Sequence, residues 1–153
     1  MLLNVEVDVN LPININFVPN PLYAETNYIY SIYCAKDYLD DDIVLMHGDL
    51  VFEKSVLEDM LSCPESAMKV SSTIPLPQKD FKAVIKDGYV QKVGIEFFDE
   101  AMEAQALYKL NRTDWNIWLN KISEFCDNDN RKVYAENAFN ELGGACNIKA
   151  FDE

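Results

Sequence analysis

The sequence predicts an α/β domain with a mixed, mostly parallel central sheet flanked by helices. Apolar runs of strand length alternate along the chain with amphipathic helical stretches, an order that ordinarily winds a parallel sheet. The 153 residues are 49% hydrophobic and 25% charged, ordinary globular usage with enough chain for one core. No repeat, low-complexity tract or Gly/Ser linker interrupts them, so residues 1–153 read as a single domain.

Residues 2–9 alternate apolar and polar side chains, as a half-buried strand does, and residues 13–18 form a second short strand that ends at Pro19 and Pro21. Thr26 or Asn27 then caps a helix reaching residue 39. Asp40, Asp41 and Asp42 make a solvated acidic turn, which disfavours more helix because the C-terminal end is already negative. Ile43–Met46 is a continuous apolar run, the mark of a strand buried on both faces, and it leads into His47-Gly48-Asp49. Ser55 caps a short helix over residues 56–61, and residues 69–74 return as a strand.

Residues 83–85 and 89–95 flank Asp87-Gly88, the strongest hairpin signal in the chain. A strand over residues 107–110 precedes the clearest helix, capped by Asn111 or Thr113. Its stripe of Trp115, Trp118, Leu119, Ile122 and Phe125 follows helical spacing and reads as core. A shorter helix over residues 134–142 stops at Gly143-Gly144, and residues 145–151 close the chain as a strand.

Charge narrows the possible partners. Twenty-six acidic residues against 13 basic ones give a formal net charge of −13, which repels nucleic-acid backbones and anionic lipid. A nucleotide remains compatible, because a divalent ion bridges carboxylates to phosphates. No apolar run approaches the roughly 20 residues that span a bilayer, and the first ten residues carry Glu6 and Asp8 where a secretory signal needs an apolar core. Cys34, Cys63, Cys126 and Cys146 are scattered without a CxxC, as reduced thiols in a cytoplasmic protein are.

Ligands of open α/β sheets bind beyond the carboxyl ends of the strands. Asp49 stands at such an end, after a glycine that lets the backbone come close to a ligand, and one carboxylate there suits Mg²⁺. Asp152, after the final apolar strand, is the candidate second carboxylate at the same edge. Taken alone, each also reads as an ordinary turn or terminal acid, and His47 as a structural neighbour of Asp49.

Asn20-Pro21-Leu22-Tyr23, then Thr26-Asn27, then Ser31, resembles a segment of the phosphocholine cytidylyltransferases and related sugar-phosphate nucleotidyltransferases. The buried strand ending in Gly48-Asp49 continues the likeness, as do the hairpin, Leu107-Tyr108-Lys109-Leu110 and Tyr134-Ala135-Glu136-Asn137. The resemblance implies a partial Rossmann-like nucleotidyltransferase fold over residues 14–153. It further implies that Asp49 and Asp152 are catalytic magnesium ligands and that Asn27, Ser31 and Gly48 line the nucleotide pocket. Tyr108, Tyr134 and Glu136 would face a cationic acceptor by cation–π contact and charge.

The expected reaction moves CMP from CTP to a phosphorylated small molecule such as phosphocholine, with Mg²⁺ and release of pyrophosphate. The family's N-terminal Gly-rich triphosphate loop has no counterpart among the glycines at 48, 88, 94, 143 and 144. The chain is therefore expected to be the C-terminal two-thirds of such a domain, a fragment or a form without catalysis. An uncovered sheet edge would invite self-association, so an oligomer is one expected outcome. Two alternatives stand beside this reading: a sugar-1-phosphate nucleotidyltransferase using UTP or dTTP, and a non-catalytic ligand-binding module without the triphosphate loop.

Overall fold

The computed structural model describes residues 14–152, and the strand expected over residues 2–9 lies outside them. From residue 14 to residue 20 the chain has no regular structure, so the described part of the expected strand over 13–18 does not form. Its apolar side chains find no layer to cover: Ile15 and Phe17 are 44% and 74% exposed.

Helix α1 (Tyr28–Ala35) starts where the Asn27 side chain accepts a hydrogen bond from the Tyr28 N–H at 2.8 Å, and it buries Ile29 and Ile32. It ends earlier than expected, passing into a 3₁₀ turn at Lys36–Tyr38. The acidic turn that follows is engaged as well as solvated. Asp40 takes the Arg112 guanidinium on both oxygens at 2.9 and 2.7 Å, which holds its carboxyl down to about 2. Asp42 accepts from the Arg112 N–H at 2.7 Å. These acids therefore sit at the N-terminal end of α3 (Arg112–Asp127), where a helix favours negative charge.

The remaining elements are β1 (Ile43–Met46), α2 (Lys54–Ser62), β2 (Ala67–Ser71), β3 (Lys82–Lys86), β4 (Tyr89–Gly94), β5 (Ala101–Leu110), α4 (Ala135–Phe139) and β6 (Lys149–Asp152). The sheet runs β1-β5-β2-β6-β4-β3, and β3 pairs again with β5, so the far side of the sheet folds back onto its longest strand. The expectation of a mostly parallel sheet is corrected here. The sheet is mixed but mostly antiparallel, with β2–β6 its parallel pairing among the described residues. No helix separates β2 from β3, β3 from β4, or β4 from β5. β3 and β4 return on one another through a tight hairpin, and β1, β2 and β3 all run against β5, which makes these pairings antiparallel.

Asp87 and Gly88 adopt positive φ of 53° and 82°, the mirror-image turn that matches strand twist in a tight hairpin. β1 is only half-buried, not buried on both faces, because it has a strand partner on one side among the described residues. In α3, Trp115, Trp118, Leu119, Ile122 and Phe125 all turn inward. Trp118 lies edge-on to Tyr108 of β5 with ring centroids 5.3 Å apart, so the helix packs squarely on the sheet.

β1 and β2 both run antiparallel to β5, and β6 runs parallel to β2. The carboxyl ends of β1, β2 and β6 therefore share one edge of the sheet with the amino end of β5. Replacing the fully buried Ile122 by alanine tests the core assignment. Urea unfolding should show a loss of about 2–5 kcal/mol, whereas a change of about 0.5 kcal/mol or less, typical of a surface position, would contradict it.

Candidate active site

The shared edge holds a cavity of about 290 Å³, lined by His47, Asp49 and Leu50 after β1, Lys79, Asp80 and Phe81 before β3, and Glu103 to Ala106 on β5, with Ile95 and Tyr134. Its wall carries three carboxylates, on Asp49, Asp80 and Glu103, and one lysine, Lys79. Rings close one side. Phe81 and Tyr134 meet edge-to-face at 5.1 Å, His47 lies 6.3 Å from Phe81, and Tyr28 lies 4.8 Å from His47.

Asp49 is exposed on this wall, in the turn that β1 feeds. A Cβ built on Gly48 would meet nothing within 4 Å, so the space beside the Asp49 backbone is open. Asp152 ends β6 at the same edge, outside the cavity wall. One of its oxygens accepts from the Ser72 N–H at 2.9 Å, and bonding to Ser72 holds its carboxyl below the usual carboxylate range. β5 and β2 lie between the two aspartates, roughly 14 Å of flat sheet at the normal strand spacing.

Magnesium takes one or two carboxylates and completes its octahedron with phosphates and waters. No group of three or more His, Cys, Asp or Glu able to hold a metal alone occurs among the described residues. Asp49 thus fits an ion brought in with phosphate, while the expected pairing with Asp152 is not formed, because two strands keep the carboxylates apart.

The other sequence candidates divide. Tyr134 is 39% exposed and reaches the cavity wall. Asn27 caps α1, and Ser31 accepts from the Asn20 amide at 3.0 Å, while the same amide donates to Thr26 at 3.1 Å. The spacing Asn20…Thr26…Ser31 therefore closes a local turn, and neither Asn27 nor Ser31 lines the cavity. Tyr108 and Glu136 are 1% exposed and lie behind it. Glu136 accepts from the Tyr108 hydroxyl at 2.8 Å on one oxygen and from the Tyr28 hydroxyl on the other. Burial pushes Glu136 up, and the two phenols offset that only in part. Burial and the neighbouring Glu136 carboxylate likewise raise both phenols.

Sequence reasoning passed over Asp80 and Glu103. The available signal was a lone glutamate within the apolar run of residues 101–110, on the same side of an alternating strand as Gln105. Glu103 is 6% exposed; one oxygen accepts from the Gln105 amide, and Oε2 has no hydrogen-bond partner among the described residues. Burial pushes its carboxyl up, Gln105 and the positive charge of Lys69 pull it down, and Asp80 adds to the rise.

With this geometry in place, the class is clear: the chain has the fold of the nucleotidyltransferases. The inositol-1-phosphate CTP transferase from T. maritima superposes with a TM-score of 0.66 over 87% of this chain and 54% of its own length, at 17% identity. A UTP-bound UGPase from Acinetobacter baumannii gives 0.55 over 88% and 50%, at 15% identity. A glucose-1-phosphate thymidylyltransferase described as putative, from Bacillus anthracis, gives 0.56 over 81% and 51%, at 11% identity.

The particular sequence relative is CMP-5'-(3-aminopropyl)phosphonate synthase of Streptomyces rubellomurinus (strain ATCC 31215). It is 42% identical over 62 residues, which are 40% of this chain and 10% of that protein. No family model matches the chain. The chain thus spans about half the length of these structures and a tenth of the sequence relative.

The buried carboxylate supplies a pH test. Because its folded-state value is raised, Glu136 favours folding below its ordinary value of 4.5, and that contribution is lost as pH rises through the folded value. Glu136→Gln removes the titration, so urea unfolding across this range should show the variant gaining stability relative to wild type as pH rises. A difference that stays constant with pH would show that Glu136 does not titrate this way.

Proposed function

We propose that this chain carries the acceptor side of a nucleotidyltransferase, which moves CMP from CTP to a phosphorylated or phosphonate small molecule such as phosphocholine and releases pyrophosphate. The observation that carries the reading is Asp49, exposed at the carboxyl end of β1 on the wall of an acidic, aromatic cavity. In this reading residues 1–153 make up the later two-thirds of the catalytic domain. The sequence relative, a CMP-phosphonate synthase by name, supports cytidine as the nucleotide and an amine-bearing acceptor.

An acceptor phosphate oxygen attacks the α-phosphorus of the triphosphate; a new P–O bond forms and the bond to the β-phosphate oxygen breaks. The attacking oxygen is already anionic, so the protein mainly aligns the reactants and balances charge. Asp49 would hold Mg²⁺, an ion that neutralises phosphate charge, whereas Asp152, two strands away, would act only from the rim of the same sheet edge. Gly48 leaves room for the nucleotide beside that aspartate, and Asn27 and Ser31 shape the turn and helix on the nucleotide side. Lys79 meets the acceptor phosphate, while Phe81, His47 and Tyr134 wall the organic part of the acceptor. Tyr108 and Glu136 act from behind this wall by fixing Tyr28 against His47.

Pyrophosphate release measured over a panel of CTP, UTP and dTTP against phosphocholine, phosphonate and sugar-1-phosphate acceptors tests the reading. Residues 1–153 alone should turn over weakly or not at all. In the intact enzyme, with the triphosphate loop supplied, turnover with CTP and a phosphocholine-type or phosphonate acceptor is expected, lost on chelation and reduced about 10²–10³-fold in Asp49→Asn. Full turnover in that variant would sink the magnesium assignment, and turnover confined to UTP or dTTP with sugar phosphates would replace the reading with its rival.

A further inference from the structure

The unpartnered Oε2 of Glu103 says more about the acceptor. A buried carboxylate oxygen without a donor is costly, and native structures rarely leave one so without a reason. Neither cross-strand neighbour donates to Oε2. Lys82, opposite Glu103 on β3, is fully buried, donates to the carbonyls of Pro77 at 2.6 Å and Asp80 at 3.1 Å, and lies 4.3 Å from the centroid of the Phe98 ring. Ser71, opposite Glu103 on β2, has its hydroxyl engaged with Thr73 at 3.2 Å. Lys69 contributes positive charge nearby and donates to the Val70 carbonyl at 3.1 Å.

What reaches Glu103 from the cavity must therefore bring its own donors. It enters a wall with three carboxylates against one lysine, beside the rings of Phe81 and Tyr134. A primary ammonium meets each demand: it is cationic, its N–H groups reach a carboxylate oxygen, and its carbon stem packs on rings. A trimethylammonium group carries the charge but presents methyls to Oε2, and a sugar hydroxyl supplies a donor without the charge.

We infer that Glu103 is a specificity-determining residue of this cavity and that it selects phosphorylated acceptors bearing a primary ammonium group over quaternary or neutral ones. The inference rests on the nucleotidyltransferase reading for the phosphate end of the ligand and on Glu103 alone for the amine end.

Isothermal titration of the whole chain with phosphoethanolamine, phosphocholine and ethyl phosphate, in magnesium without CTP, tests it. Phosphoethanolamine should bind at least about tenfold tighter than the other two, the scale of one charge-assisted hydrogen bond. Glu103→Gln, which keeps the shape of the side chain, should bring the three to within about twofold of one another. The wild-type comparison needs no variant, so a folding defect cannot mask the result. Phosphocholine binding as tightly as phosphoethanolamine overturns the assignment, as does a preference that survives Glu103→Gln, or no binding of any of the three. Pyrophosphate release from CTP, measured in parallel on the intact enzyme that supplies the triphosphate loop, separates the two claims. Transfer without a Glu103-dependent preference sinks the ammonium site alone, and Glu103-dependent binding without transfer sinks the nucleotidyltransfer reading alone.

Discussion

Strand β5 imposes the constraint on which the rest of the molecule depends. A ten-residue strand in the interior must satisfy its backbone on both edges. β2 covers one edge, while β1 and β3 divide the other, β1 along residues 107–110 and β3 along 101–103. Where β1 gives way to β3 the sheet opens, and residues 103–106 line the cavity. The site lies at this change of partner, and His47 marks it by donating its N–H to the Ala106 carbonyl at 3.2 Å.

Two buried glutamates show how one residue type takes different parts in one fold. Glu136 has both oxygens occupied by phenols from α1's first residue and from β5, so it joins three elements and has nothing left to offer a ligand. Glu103, which lines the cavity, has one oxygen occupied and one buried without a donor. Burial raises both carboxyls, yet the satisfied one ties scaffold elements together and the half-satisfied one belongs to a residue of the cavity wall. Burial alone does not separate the roles; the count of donors does.

The parts of the fold legible in the sequence were those governed by neighbours in the chain. Asp87-Gly88 encodes its turn because both residues tolerate positive φ. Asn27 encodes the start of α1 because a short side chain there reaches the next backbone N–H. The tryptophan stripe of α3 encodes its buried face through helical spacing. Strand direction was not legible, since alternating elements suit a parallel sheet equally well until pairing shows β1, β2 and β3 all running against β5. Asp49 was legible as a candidate because a strand end is a local feature. Glu136 was expected to face the acceptor, and its burial was not legible because it depends on Tyr28, 108 residues away. Glu103 was missed because its setting depends on β3 folding back to β5.

By itself the sequence determined most of the elements from residue 28 onward, the acidic net charge and the family likeness, since each follows from side-chain periodicity, local turn chemistry, composition or motif order. Tertiary structure decided the direction of the sheet and which carboxylates meet at its edge. It also decided which of them are left without donors. Those outcomes turn on hydrogen bonds between residues far apart in the chain, and no local pattern records whether a distant partner arrives.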